Sequence, residues 1–130
     1  MFGKILVPVD SSEESRTILR WAVGLAKATK SDLTLLTVID TEDFQIVKAA
    51  ATGQTDTTAP GGIISKISEK VKADLESEAA SLQATGIGID VKVVAGSPAE
   101  AIVAEAEAVG ADVIAMSTRR ESALARGILG

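Results

Sequence analysis

The chain has 130 residues, about the size of one domain, and its 46% hydrophobic and 24% charged content is globular rather than disordered. It contains no cysteine and no histidine, which removes disulfides, thiolate and imidazole metal sites, thiol nucleophiles and serine–histidine triads. A net charge of −5 and only three aromatic residues, Phe2, Trp21 and Phe44, argue against nucleic acid and anionic membrane as partners, since both need cationic surface and the first also needs stacking rings.

Ile5, Leu6, Val7 and Val9 predict a buried first strand, with Pro8 near its end, where a missing N–H is tolerated, and Asp10 at the exit. A helix follows directly. Ser11 and Glu14 have capping-box spacing, and Ile18, Trp21, Ala22 and Leu25 recur at helical intervals that give a face for the sheet. Residues 33–39 predict an equally apolar second strand ending at Asp40. Over 41–62 the composition turns to Thr, Gly and Pro, which offer little to a core, so this stretch reads as a flexible loop, an exposed insertion in preference to a lid or docking segment.

Ile64, Ile67, Val71, Leu75 and Leu82 then stripe one side of a long helix, and Gly86 is placed to cap its end. A third strand over 89–94 leads into Gly96-Ser97-Pro98-Ala99-Glu100, a helix start in which Ser97 caps, Pro98 suits the first helical position and Glu100 completes the box. Ile102, Val103, Ala106 and Val109 supply the buried side of that helix and Gly110 ends it. Residues 113–116 form a short apolar run, as expected of a fourth strand buried on both faces of a parallel sheet. Asp112, at the opposite end of that strand from any site, reads as a structural turn residue. Strand and helix alternate throughout, which predicts an α/β, three-layer, doubly wound, mainly parallel sheet. No apolar run approaches the roughly twenty residues of a membrane span, and the first residues lack the pattern of a signal peptide, so a soluble, cytoplasmic protein is expected.

Two stretches, Lys4-Ile5-Leu6-Val7-Pro8-Val9-Asp10 and the segment from Gly110 to Gly130, resemble the universal stress protein family, and the resemblance runs the length of the chain. Gly-x-Pro at Gly96 to Pro98 matches the family's turn at that place. The resemblance implies strand order 3-2-1-4 within one domain over 1–130, lacking the family's C-terminal helix and fifth strand, and a homodimer. It leaves 113–116 as an apolar edge that invites pairing. It further implies ATP or another adenine nucleotide as ligand, with Mg as the accompanying ion, and a stress-response role without catalysis. The family's phosphate loop reads Gly, two residues, Gly, nine residues, Gly, then Ser or Thr. Here the glycine places fall on Ser117, Arg120 and Gly130, so only the last matches.

In that topology the strand order reverses between the first and fourth strands, and the crevice outside their carboxyl ends is where a ligand is expected. Pro8, Val9 and Asp10 meet Val38 and the segment carrying Met116, Ser117, Thr118, Arg119, Arg120 and Gly130 there. Asp10 can accept hydrogen bonds from a ribose hydroxyl or a base amino group, or it can cap the helix that follows. The resemblance, and not the residue itself, marks Val38 as an adenine contact. Ser117 and Thr118 offer hydroxyls, while Arg119, Arg120 and Arg126, the only cationic side chains after Lys92, either replace a glycine-lined cradle by bidentate phosphate contacts or fill the space a triphosphate would use. The alternative function is a dimeric stress-response interaction protein that binds no nucleotide. Catalysis is not expected, because nothing in the sequence supplies a clear base beside the arginine loop.

Overall fold

Branched apolar side chains on successive residues suit a strand covered on both sides, as at 5–7 and 33–39, and these runs form one sheet with the more polar strand at 89–96 and the short one at 113–114. The computed structural model describes residues 3–10, 13–40, 63–83 and 86–117, with the α2 side chains described from Ser65 onward. Its elements are β1 (Lys4–Pro8), α1 (Glu13–Thr29), β2 (Asp32–Asp40), α2 (Ile63–Leu82), β3 (Ile89–Gly96), α3 (Pro98–Val109) and β4 (Val113–Ile114). The strands are all parallel, in the order β3-β2-β1-β4. The loop expected over 41–62, the caps at Ser11 and Ser12, the side chain of Ile64 and everything from Thr118 onward lie outside the described residues.

Alternation along the strands sorts the side chains into two layers. Ile5, Val7, Leu33 and Leu35 point to the side where Leu19, Ala22 and Ala26 of α1 meet Leu75 and Ala79 of α2, and together they make the main core. Leu6 and Leu36, also fully buried, face the other way. There α3 packs across β1, β2 and β3, and Lys92, in step with Leu36, extends its ammonium group to Glu105 of α3 at 2.7 Å. The layering is helix, sheet, helix, as the alternation of elements required.

Three expectations about burial fail for identifiable reasons. Trp21 is 74% exposed, because the face of α1 that meets the sheet runs through Ser15, Leu19, Ala22 and Ala26, where alanines let the helix approach closely. Val103 is 56% exposed, since α3 turns Ile102, Glu105, Ala106 and Val109 partly inward and Glu105 takes a face position through its bond to Lys92. Strand β4 is shorter than 113–116 and is not buried on both faces: Ile114 and Met116 are exposed, and among the described strands β4 pairs only with β1. Its ladder still extends one residue, with the Ala115 N–H donating to the Leu6 carbonyl at 2.9 Å.

Helix ends follow local chemistry with one departure. Ser97 does sit at the N-cap of α3 with Pro98 next, but its side chain makes no capping bond, so no capping box forms with Glu100; its carbonyl accepts the first helical bond, from Ala101 N–H at 2.9 Å. Gly110 closes α3 at φ 70°, a left-handed conformation that glycine adopts without a Cβ penalty. Lys30 does the same work after α1 at φ 56°.

Asp112 has the structural role expected of it. Its Oδ2 accepts the N–H groups of Gly3 at 2.6 Å and Lys4 at 3.1 Å, while its own N–H donates to the Lys4 carbonyl at 2.9 Å, which clamps the start of β4 to the start of β1. These backbone donors, Gly3 foremost and then Lys4, hold its carboxyl below the usual Asp value. A carboxyl with a folded-state pKa below its unfolded one contributes stability above the unfolded value, near 3.9, and loses it as pH falls through the folded one. Asp112→Asn should therefore lower the urea midpoint at pH 7, with the difference from wild type shrinking as pH drops below about 4. An equal deficit at pH 7 and pH 3 would show that the charge is not what stabilises the clamp.

Candidate functional site at the carboxyl edge of the sheet

A parallel sheet leaves its strands' carboxyl ends on one edge, and the chain's crossover from β3 to β4 opens a crevice between β1 and β4 there. Register places the candidate residues at matching heights. Leu6 pairs with Ile114, so Pro8 and Met116 each stand two residues farther toward the edge. Pro8 pairs with Leu36, so Asp10 and Val38 stand two residues beyond that pair on adjacent strands. Ser117, half-buried, follows Met116. Thr118, Arg119, Arg120 and Gly130 lie outside the described residues.

The exit of β1 is held at three points. Val9 N–H donates to the Leu36 carbonyl at 2.7 Å, the Thr37 hydroxyl donates to the Val9 carbonyl at 2.8 Å, and Asp10 N–H donates to Ser15 Oγ at 2.9 Å. Ser15 is buried, on the inward face of α1. The backbone that carries Asp10 is thus tied to β2 on one side and to α1 on the other, and a binding group on so fixed a backbone loses little freedom when a ligand arrives.

Ser15 and Thr37 are the positioning residues that sequence reasoning passed over. Each left a signal. Ser15 is a polar residue in line with Leu19, Ala22 and Ala26 on a face otherwise apolar, and Thr37 interrupts the apolar run of β2. Both anomalies are explained by the hydroxyl partner that the β1 exit needs.

Charge at the site favours one direction for an anionic ligand. The first turn of α1 carries Glu13 and Glu14, which already complement the positive end of that helix dipole. A phosphate would meet repulsion there; Arg119 and Arg120, which follow β4 in the sequence, lie outside the described residues. Apolar surface is available at this edge: Met116 is 53% exposed and Val38 half-buried. Among the described residues no group of three or more Asp, Glu, His or Cys side chains is placed to hold a metal ion, and no described helix is long and apolar enough to cross a membrane.

Fold and crevice together define a doubly wound α/β domain with an open crevice at its topological switch point. The chain belongs to the universal stress protein family, whose model it matches over residues 1–130. It is 28% identical over 146 residues to the stress response protein NhaX of Bacillus subtilis, covering 98% of this chain and 86% of that protein. Against the universal stress protein MJ0577 of Methanocaldococcus jannaschii it is 26% identical over 137 residues, covering 100% of this chain and 85% of that one. The solved structure of MJ0577 superposes with a TM-score of 0.70 at 28% identity, over 89% of this chain and 74% of that one. The universal stress protein UspA from Lactobacillus plantarum superposes at 0.67 with 21% identity, over 90% and 79% of the two chains, a likeness of fold.

Proposed function

We propose that this chain is a stress-response regulator that binds an adenine nucleotide at the carboxyl edge between β1 and β4, acting by conformation or choice of partner rather than by catalysis. The observation that carries the reading is the three-point fixation of the β1 exit, which presents Asp10 at the switch point of the sheet. In the arrangement proposed, the Asp10 carboxylate accepts from the ribose, Val38 and Met116 flank the base, Pro8 and Val9 form the floor, and the phosphates lie toward Ser117, Thr118, Arg119, Arg120 and Gly130. Support for the ligand class comes from two structural neighbours, a universal stress protein in complex with cAMP and an Arabidopsis thaliana family protein with AMP bound, whose likeness to this chain is one of fold. Magnesium enters only as an ion accompanying the phosphates. The reading includes a homodimer formed along β4, where Ile114 and Met116 are exposed.

Calorimetric titration of AMP, cAMP and ATP into protein freed of bound nucleotide tests the proposal, with native mass spectrometry of the protein as purified as a companion. Saturable binding of at least one nucleotide is expected. No heat at millimolar ligand would end the nucleotide reading and leave the interaction-protein alternative, which the side chains at the glycine places Ser117 and Arg120 favour. If the arginines hold phosphate, Arg119→Ala combined with Arg120→Ala should weaken ATP about tenfold or more while leaving adenosine within about twofold, and should flatten the salt dependence. Tighter ATP binding by Arg120→Gly would instead identify that side chain as an obstruction.

A further inference from the structure

An exposed tryptophan on a chain with so few aromatics is a costly feature to leave in water, and beyond the acidic first turn of α1, with Glu13 and Glu14, every charged residue of that helix is cationic. Trp21 lines an open, mostly apolar depression of about 490 Å³ with Arg20, Gly24 and Leu25. Arg16, Arg20 and Lys27 are exposed along the same side of the helix. Gly24 leaves a notch only in the sense of a missing side chain in the row, and a Cβ added there would stand in open space. This face is basic and apolar on a protein whose net charge is −5. On the opposite side of the sheet, α3 has the complementary character. Its sequence contains no Lys or Arg, and Glu100, Val103, Ala104, Glu107 and Ala108 are exposed on one side of the helix. Its remaining acid, Glu105, is already engaged by Lys92.

We propose that the outer face of α1 is a docking surface for α3 of a second copy of this chain. The spacings agree. Arg20 and Lys27 are seven residues apart, as are Glu100 and Glu107, so each pair spans two helical turns, about 10.5 Å. With the helices antiparallel, Glu100 meets Lys27, Glu107 meets Arg20, and Val103 falls opposite the notch at Gly24 in the same register. Trp21 then covers the small residues on the neighbouring side of α3. Charge complementarity selects this occupant over a copy of α1 itself, which would set cation against cation.

Because α1 and α3 lie on opposite faces of one sheet, a molecule cannot satisfy the contact internally. Each copy carries one surface of each kind, so the contact is head-to-tail and propagates into a ring or a short filament, in contrast to a symmetric pair along β4. This inference does not depend on nucleotide binding.

The chain has a single tryptophan, so its emission reports directly on this surface. In low salt the sedimentation coefficient of the wild type should rise with concentration while Trp21 emission moves to the blue, and about 0.5 M salt should reverse both. Arg20→Glu with Lys27→Glu, and separately Glu100→Lys with Glu107→Lys, should each weaken association about tenfold or more, at exposed positions where circular dichroism should be unchanged. An equimolar mixture of the two double variants should associate again, since each then offers the face the other lacks. A wild type whose sedimentation and emission stay constant with concentration overturns the proposal. So does association undiminished in both double variants, which would belong to another surface, or a mixture no more associated than its components.

Discussion

Asp10→Ala is expected to raise the dissociation constant for AMP by about ten- to a hundredfold, the loss of about 1.5–3 kcal/mol typical of hydrogen bonds to a charged group. The backbone N–H of residue 10 donates to Ser15 Oγ, a bond that alanine keeps. Asp10→Asn retains one acceptor without the charge and should fall between wild type and alanine. The measurement is a calorimetric titration of each protein with AMP, alongside a urea melt that separates any change in stability from the change in affinity. Equal affinity in wild type and Asp10→Ala would remove Asp10 from the site and with it the ribose contact.

Much of the architecture was legible because parallel α/β folds are written in simple signals. The runs at Ile5 to Val9 and Leu33 to Ile39 are too apolar to face water on either side, Ile89 to Val94 alternates apolar residues with Asp90 and Lys92, and Gly110 marks a helix end by a conformation that glycine adopts easily. Burial of single residues was less legible. Period allows Ile18, Trp21, Ala22 and Leu25 as a face of α1, and Ile18 and Leu25 do pack at the margin of the core, but its centre takes Leu19, Ala22 and Ala26, because the helix settles where its smallest residues allow close approach. Trp21 was hydrophobic enough to suggest burial and too large for that interface. Val103 misled in the same way, since the pull of Lys92 on Glu105 turns α3 by a polar contact that hydrophobic spacing does not encode.

At the site, Asp10 was visible from its place after a strand, and Val38 only through the family resemblance. Ser15 and Thr37 stayed hidden, although each is a polar residue in an apolar pattern. Their partners are backbone groups of Val9 and Asp10, distant in sequence from Thr37 and little more than a helical turn from Ser15, and a backbone partner leaves no matching residue to find. Asp112 reads as structural from its end of the strand, but the donors it serves, Gly3 and Lys4, are joined to it only by the fold.

The two faces of the sheet should differ in how they tolerate a lost side chain. Leu35 and Leu36 are neighbours on β2, both 0% exposed, and point to opposite layers. Around Leu35 the cover is continuous, with buried residues from both α1 and α2 in one cluster. Over Leu36 lies α3, none of whose residues is fully buried. Leu→Ala in a core loses the transfer free energy of the removed carbons and adds a cavity cost that depends on how far the surroundings can close in. The α1 and α2 side is pinned by its own packing and can close little, so Leu35→Ala should cost about 4–5 kcal/mol, near the top of the usual range. The single helix α3 can settle toward the sheet, so Leu36→Ala should cost about 2–3 kcal/mol. Urea unfolding of both variants measures the difference directly. Equal losses, or a larger one at Leu36, would mean that α3 is held as firmly as α1 and α2 and that exposure of its residues is no guide to its freedom to move.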